Sequence, residues 1–402
     1  MDAEKFVIRG GLVYLPEEKK LVEASVVLKD GKIAAIGSCS SNEGCQEIDA
    51  SGCIVSPGFI DSHMHDEDAE DPHTIEKALL LQGVTTAIAG NCGLGPLLED
   101  IAPHRQTPWL NLGYLTGHTV LREKVGIHDA YRPASREEIA AMVSLLKREL
   151  QEGSLGLSFG LGYVPQASSE EIDALIAVVA TFERRWVSVH IRYDGRRCLE
   201  AVRETVDMAK NHDIRVQVSH FAGMTAFGHF QESMDLLEEA WKEGLDVTFD
   251  CYPYAAFCTS IGSAVFDPGF AEEWGGKGFE FIEAGTGKYK GLRLTPEIYE
   301  DLRKNYPKEL AIAHVLEEKE VRSCLVHPRC AVASDGILFE GHGHPRAAGT
   351  FPRALRILRE EGLSWEEALE HVTSIPADMV WSRRGRLRQG SPGDLVVFDP
   401  SE

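Results

Sequence analysis

The chain has 402 residues, with 41 Lys+Arg against 63 Asp+Glu (formal charge −22), 43% hydrophobic and 26% charged residues. That balance fits a folded globular protein, and with no basic run it sets nucleic acid and anionic membranes aside as partners. No apolar stretch reaches the roughly 18 residues of a membrane span, and the first residues lack a secretory pattern. Nine scattered cysteines without a Cys-x-x-Cys pair point to a reducing cytoplasm.

In chain order, Phe6–Ile8, Leu12–Tyr14, Ala24–Leu28 and Ile33–Ile36 read as short strands, with Asp30-Gly31 as a hairpin turn. A matching strand, Asp394–Asp399, follows the turn-like Gly390–Gly393. The two ends, 1–53 and 387–402, are therefore expected to form one small β-sandwich domain. Between them, short apolar runs alternate with helices opened by Ser…Glu capping boxes at Ser135, Ser168 and Ser364. The runs are Val55–Asp61, Val84–Ala89, Trp109–Leu115, Leu155–Leu161, Trp186–His190, Arg215–Ser219, Val247–Asp250 and Cys330–Ser334. Eight such strands predict the α/β class, as a (β/α)8 TIM-like barrel over 54–386. The Gly-rich stretch 255–310 is too long for a simple connection and reads as an insertion or lid.

In a barrel of this kind chemistry gathers where strands end. The residues there are His63 and His65, Cys92, His118, His190, His220, Tyr252 with Tyr254, and Asp335. Alternation along an extended segment turns His63 and His65 to one side, although H-x-H by itself equally describes two polar loop residues. With Cys92, His190 and His220 the set suits Zn²⁺. Asp335 either caps a turn or serves as general base beside a metal-bound water. Gly156-Leu-Ser158-Phe-Gly160 has the letters of a nucleophile elbow, but its Ser lies inside an apolar run without the following helix. The acidic run Asp66–Asp71 reads as a solvated helix start.

Pro57-Gly-Phe-Ile-Asp-Ser-His63-Met-His65 resembles the first-strand signature of the amidohydrolase superfamily. Asn91-Cys92-Gly93, Gly117–Arg122, Leu155–Leu161, Val189–Arg192 and Val216–His220 resemble a narrower branch, the N-acyl-D-amino-acid deacylases, or D-aminoacylases. So do Tyr252-Pro-Tyr254, Ser334-Asp-Gly336, His344-Pro-Arg346 and Gly349–Arg353, and the likeness spans nearly the whole chain. The resemblance implies one Zn²⁺ held tightly by Cys92, His190 and His220. It also implies a second, weaker site at His63, His65 and Asp335 that shares Cys92.

Asp335 would move the proton, Arg346 would hold the substrate carboxylate, and Tyr252, His118, Arg192 and Arg353 would be further substrate contacts. The implied reaction is hydrolysis of a small N-acyl-D-amino acid to a carboxylate and a free D-amino acid. Opening of a cyclic amide or cleavage of a D-dipeptide would use the same site, and an inactive binding or scaffold protein is the alternative of another class. No Lys lies between Leu155 and Tyr163, in keeping with the branch in which Cys replaces a carboxylated Lys. Two features depart from the branch: Phe221-Ala-Gly-Met224 stands where relatives carry a Lys, and Glu402 follows soon after the last motif, which implies a leaner β unit. The sequence leaves the oligomeric state open, a homo-oligomer among the options.

Overall fold

The computed structural model describes residues 5–38, 45–66, 74–101, 109–338 and 341–401. The first strands pair into two four-stranded sheets. One joins Lys32–Gly37, Ser25–Lys29, Lys5–Arg9 and Gln46–Asp49; the other joins Leu395–Phe398, Ile54–Pro57, Leu12–Leu15 and Lys20–Glu23. Asp30 (φ 52°) and Gly31 (φ 70°) make the expected hairpin turn, because left-handed values at both centre positions match strand twist. The last strand runs antiparallel to Ile54–Pro57, and Ile33 N–H reaches Ser391 O at 2.9 Å, so both chain ends meet here. Ile8, Val13, Val26, Ile33, Val55 and Leu387 share one apolar cluster between the sheets.

The central region holds eight parallel strands among the described residues. They are β1 (Phe59–Asp61), β2 (Val84–Ala89), β3 (Asn111–Tyr114), β4 (Gly156–Gly160), β5 (Trp186–His190), β6 (Val216–Val218), β7 (Val247–Cys251) and β8 (Cys330–Val332). β1 to β3 pair in order, as do β4 to β8, and Thr116–Gly117 carries the pairing from the end of β3 to β4. After β8 the chain returns beside β1, where Met64 bridges Gly336 in parallel and Asp335 N–H donates to His63 O at 2.8 Å. Nearly every strand residue is buried, as the near-continuous apolar runs require of a sheet covered on both faces. Amphipathic helices do the covering, including Arg136–Glu152, Ser169–Val179, Cys198–His212, Phe230–Lys242 and Arg346–Glu360. Among the described residues no helix is long and apolar enough to cross a membrane.

Two expectations are corrected. Val55–Asp61 is not one strand: it breaks at Gly58 into Ile54–Pro57 of the terminal sheet and β1 of the parallel set. Pro57 has no N–H to continue a ladder, and Gly58 has no space for a Cβ against Thr85. The insertion expected at 255–310 does not stop at 310. Phe257–Ser260, Leu310–Ala313 and Ile282–Ala284 form an antiparallel sheet, joined by the helix Pro296–Asn305, which Thr295 caps. Phe257, Phe266, Phe270, Trp274 and Tyr299 pack together within this insertion, with ring centroids 4.8–6.4 Å apart.

Candidate metal centre

The C-terminal ends of the parallel strands converge on one group of side chains. After β1, extended backbone through Met64 sends His63 and His65 the same way. After β2 the turn Gly90–Gly93 presents Cys92. Ser158 on β4 clamps that turn, donating to Gly90 O at 2.6 Å and accepting from Gly93 N–H at 3.0 Å. His190 closes β5, and His220 and Asp335 follow β6 and β8. Cys92 (φ 54°), His220 (φ 36°) and Asp335 (φ 46°) all adopt left-handed backbone, which is uncommon away from glycine and gathers where side chains must be aimed.

The distances within the group are short. Cys92 Sγ lies 3.4 Å from His63 Nε2 and 3.6 Å from His220 Nε2, and His190 Nδ1 lies 3.0 Å from His220 Nε2. Asp335 Oδ1 stands 3.3 Å from His63 Nε2 and 3.1 Å from His65 Nε2. One atom each from His63, Cys92, His220 and Asp335 falls within a 4.8 Å span. None of the six residues is more than 6% exposed. Two nitrogen ligands of a tetrahedral zinc lie about 3.3 Å apart, and a nitrogen and a thiolate about 3.6 Å. The spacing and the mixed sulfur, nitrogen and oxygen donors therefore fit a divalent ion of borderline softness.

The electrostatics agree. Burial works against the Cys92 thiolate, but His63 and the other two imidazoles outweigh it and hold the thiol well below its ordinary range. Burial would likewise discharge His63, yet Asp250, Cys92 and Asp335 raise it well above the ordinary imidazole. At Asp335 burial is overcome by Arg346 first and the imidazoles after it, so the carboxylate stays charged. Burial depresses His190, which favours the neutral ring that a ligand needs.

A narrow cleft opens beside the group, walled by Tyr163, Met224, Tyr252, Phe257 and Arg346. Tyr163 packs on His190 with ring centroids 4.4 Å apart. Arg346 Nη1 stands 2.8 Å from Asp335 Oδ2 as an ion pair and Nη2 donates to Cys258 O at 2.9 Å, while the buried Nε and Nη1 have no hydrogen-bond partner among the described residues. Asp194 also lines the cleft; burial pushes its carboxyl up to about 6 while Trp274 Nε1–H donates to it at 3.0 Å.

The geometry thus gathers His63, His65, Cys92, His190, His220 and Asp335, with Tyr252 and Arg346 alongside. Three expected substrate contacts do not line this cleft, and each is held by another group of the protein. His118 opens the helix His118–Lys124 and is fully buried against Glu171, with Nε2 2.8 Å from Oε1. Arg192 is bound by Glu204 at 2.7 Å and by Pro165 O at 2.8 Å. Arg353 donates to Pro253 O at 2.7 Å and lies over the Tyr254 ring, in a different groove. Ser158 is spent on the Cys92 turn. Of the acidic run, Asp66 accepts from Tyr114 Oη at 2.9 Å, and 67–71 lie outside the described residues.

Sequence reasoning missed Asp250, Tyr163 and Asp194. Asp250 ends one of the apolar runs, and that position was the signal available for it. Its Oδ1 accepts the backbone N–H of His220 at 2.9 Å and lies 3.3 Å from His63 Nδ1.

The amidohydrolase family pattern matches residues 46–274, more than half of the chain. An N-acyl-D-aspartate deacylase from Alcaligenes xylosoxydans xylosoxydans is 31% identical, across 98% of this chain and 86% of that protein. The chain belongs to the amidohydrolase family. Within the family this amidohydrolase falls with the D-aminoacylases. The N-acyl-D-glutamate deacylase from Bordetella bronchiseptica, solved with zinc and a phosphonate mimic of the tetrahedral intermediate, is 28% identical. Its TM-score is 0.85, over 100% of this amidohydrolase and 90% of that chain. A D-aminoacylase described by its binuclear metal centre, with one-metal activation and second-metal attenuation, is 29% identical. Its TM-score is 0.84, over 98% and 90% of the two chains.

Proposed function

We propose that this amidohydrolase hydrolyses the amide bond of N-acyl-D-amino acids on a zinc centre held by Cys92, His190 and His220. His63, His65 and Asp335, with Cys92 shared, form a second and weaker site. The architecture proposed for it is a closed (β/α)8 barrel from 59 to 386 with a β-sandwich from residues up to 57 and 387–402; the return of residues 63–65 onto 335–336 and the pairing of both chain ends support that reading. The observation that carries the function is the buried convergence of a thiol, four imidazoles and a carboxylate beside the Arg346 cleft. The zinc and the phosphonate bound by the Bordetella relative supply the metal and the reaction class, and the D configuration rests on the relatives' names.

Zn²⁺ bound there supplies Lewis-acid polarisation of a carbonyl and lowers the pKa of water towards about 7. The chain's own residues do the rest. Asp335 is anionic and faces His63 and His65, so it takes the proton of the attacking water and returns it to the leaving nitrogen. Burial keeps the Tyr252 phenol protonated, ready to donate to the developing oxyanion. The Nε and Nη1 groups of Arg346, which make no hydrogen bond among the described residues, are the donors left for the substrate carboxylate.

The test measures amine release from N-acetyl-D- and N-acetyl-L-amino acids, a hydantoin and D-dipeptides. Release from the D-amides, lost in a strong chelator and restored by Zn²⁺, is expected. Asp335→Asn should lower kcat by about 10²–10⁴, the range of general acid–base catalysis. Chelator-insensitive turnover that disappears in Ser158→Ala would overturn the proposal.

A further inference from the structure

Asp250 is fully buried at the end of β7 and does not line the cleft. It therefore has no route to substrate except through its neighbours, and two of these belong to the metal centre. Oδ1 takes the His220 backbone N–H at 2.9 Å, and the two oxygens stand 3.3 and 3.5 Å from His63 Nδ1. Oδ2 also accepts from Gln217 Nε2 at 2.6 Å, and Gln217 Oε1 is fixed in turn by Trp186 Nε1–H at 3.2 Å. A buried carboxylate is tolerable only when donors surround it, and here they come from β6 and the turn after it and from the end of β1.

We infer that Asp250 is the positioning residue of the metal centre, setting the ring of His63 and the backbone of His220 with one carboxylate. The reasoning begins at His63. Its Nε2 faces Cys92 and Asp335, so an Nε2 lone pair is available to a metal only if the ring proton sits on Nδ1. Asp250 is the acceptor that faces Nδ1 and selects this tautomer, as outer carboxylates do for metal-bound histidines. At His220 the same carboxylate holds an N–H in left-handed backbone (φ 36°), which aims the imidazole at Cys92 and His190. Asp250 thus ties a ligand of the proposed weaker site to a ligand of the tighter one.

This inference rests on the metal-centre reading above, and the experiment separates the two. Metal-free wild type and Asp250→Asn are titrated with Zn²⁺ against a competing chelator, and the absorption spectra of their Co²⁺ forms are compared. The variant is expected to bind Zn²⁺ about 10–100-fold more weakly, with an altered Co²⁺ spectrum. Wild-type affinity and spectrum in the variant would overturn the inference and leave the metal centre intact. A wild type that binds no Zn²⁺ would overturn both. Should Asp250→Asn not fold, long-range ¹H–¹⁵N spectra of the zinc-loaded wild type decide the matter: His63 protonated on Nδ1 supports the assignment, and His63 protonated on Nε2 overturns it.

Discussion

Two clusters of buried histidine lie at the ends of neighbouring strands, and they differ in what faces what. Around His118, donors meet acceptors: Glu171 Oε1 is 2.8 Å from His118 Nε2 and 2.6 Å from Arg122 Nη1, and all three residues are at most 2% exposed. One carboxylate and one guanidinium balance, and burial leaves the imidazole neutral. Around Cys92, by contrast, atoms that all carry lone pairs turn towards one another, with His190 Nδ1 only 3.0 Å from His220 Nε2 and Cys92 Sγ beside both His63 and His220. Such a group is stable only with protons or a cation among its members. Both clusters are buried and both hold histidine beside a carboxylate; the complementarity of the partners tells a packed ion pair from a ligand set.

The comparison can be broken most forcefully at Glu171. Replacing it by Gln leaves the Arg122 guanidinium buried without its counter-charge, a change that costs about 3–5 kcal/mol where one partner of a buried pair is removed. Glu171→Gln should therefore lower the denaturant midpoint strongly while the folded protein binds as much Zn²⁺ as wild type. Zinc lost in proportion to Glu171 would join the two clusters into one functional unit and dissolve the distinction.

A third buried imidazole sharpens it. His344 accepts the Arg346 N–H at 3.1 Å and stands edge-on to Tyr254, with no carboxylate among its hydrogen-bond partners. Burial first, and Arg346 after it, depress His344 to about 3. In the unfolded chain this histidine takes a proton near pH 6.5, whereas in the folded protein it refuses one until about 3. The unfolded state therefore binds more protons between these values, and stability is lost as the pH falls from 6.5 towards 3. In zinc-free protein, His344→Gln should flatten this part of the stability–pH curve by up to one proton's slope. An unchanged slope would mean that His344 is charged in the fold.

The strand ends were legible in the sequence because two periodicities agree there: apolar runs stop, and His63 and His65 repeat at the spacing of extended chain. Cys92 was legible because Asn91 and Gly93 frame it as a turn. The direction of His118 was not legible. It starts a helix, so its ring lies back on Phe159, 4.9 Å between centroids, instead of facing the cleft. Arg192 and Arg353 were misplaced because their partners, Glu204 and Pro253 O, lie 12 and 100 residues away, beyond the reach of any local pattern. The break at Gly58 depends on Thr85 in the neighbouring strand and was hidden for the same reason.

The smallest effect tests the boundary of the His118 cluster. At Ser135 the capping box is complete: Ser135 Oγ accepts from Glu138 N–H at 3.3 Å, and Glu138 Oε2 accepts from Ser135 N–H at 2.7 Å. At Ser168 only the first half forms, with Oγ accepting from Glu171 N–H at 3.2 Å, because the Glu171 carboxylate has gone to His118 and Arg122. The hydroxyl's contribution is the same bond in both places, so Ser135→Ala and Ser168→Ala should each cost about 1 kcal/mol in chemical denaturation. A loss of several kcal/mol at Ser168 alone would mean that the cap also holds Glu171 against Arg122, in which case the ion pair begins at the helix start. Equal losses would confine the cluster to its three side chains, with the backbone N–H of Glu171 belonging to the helix and its carboxylate to the core.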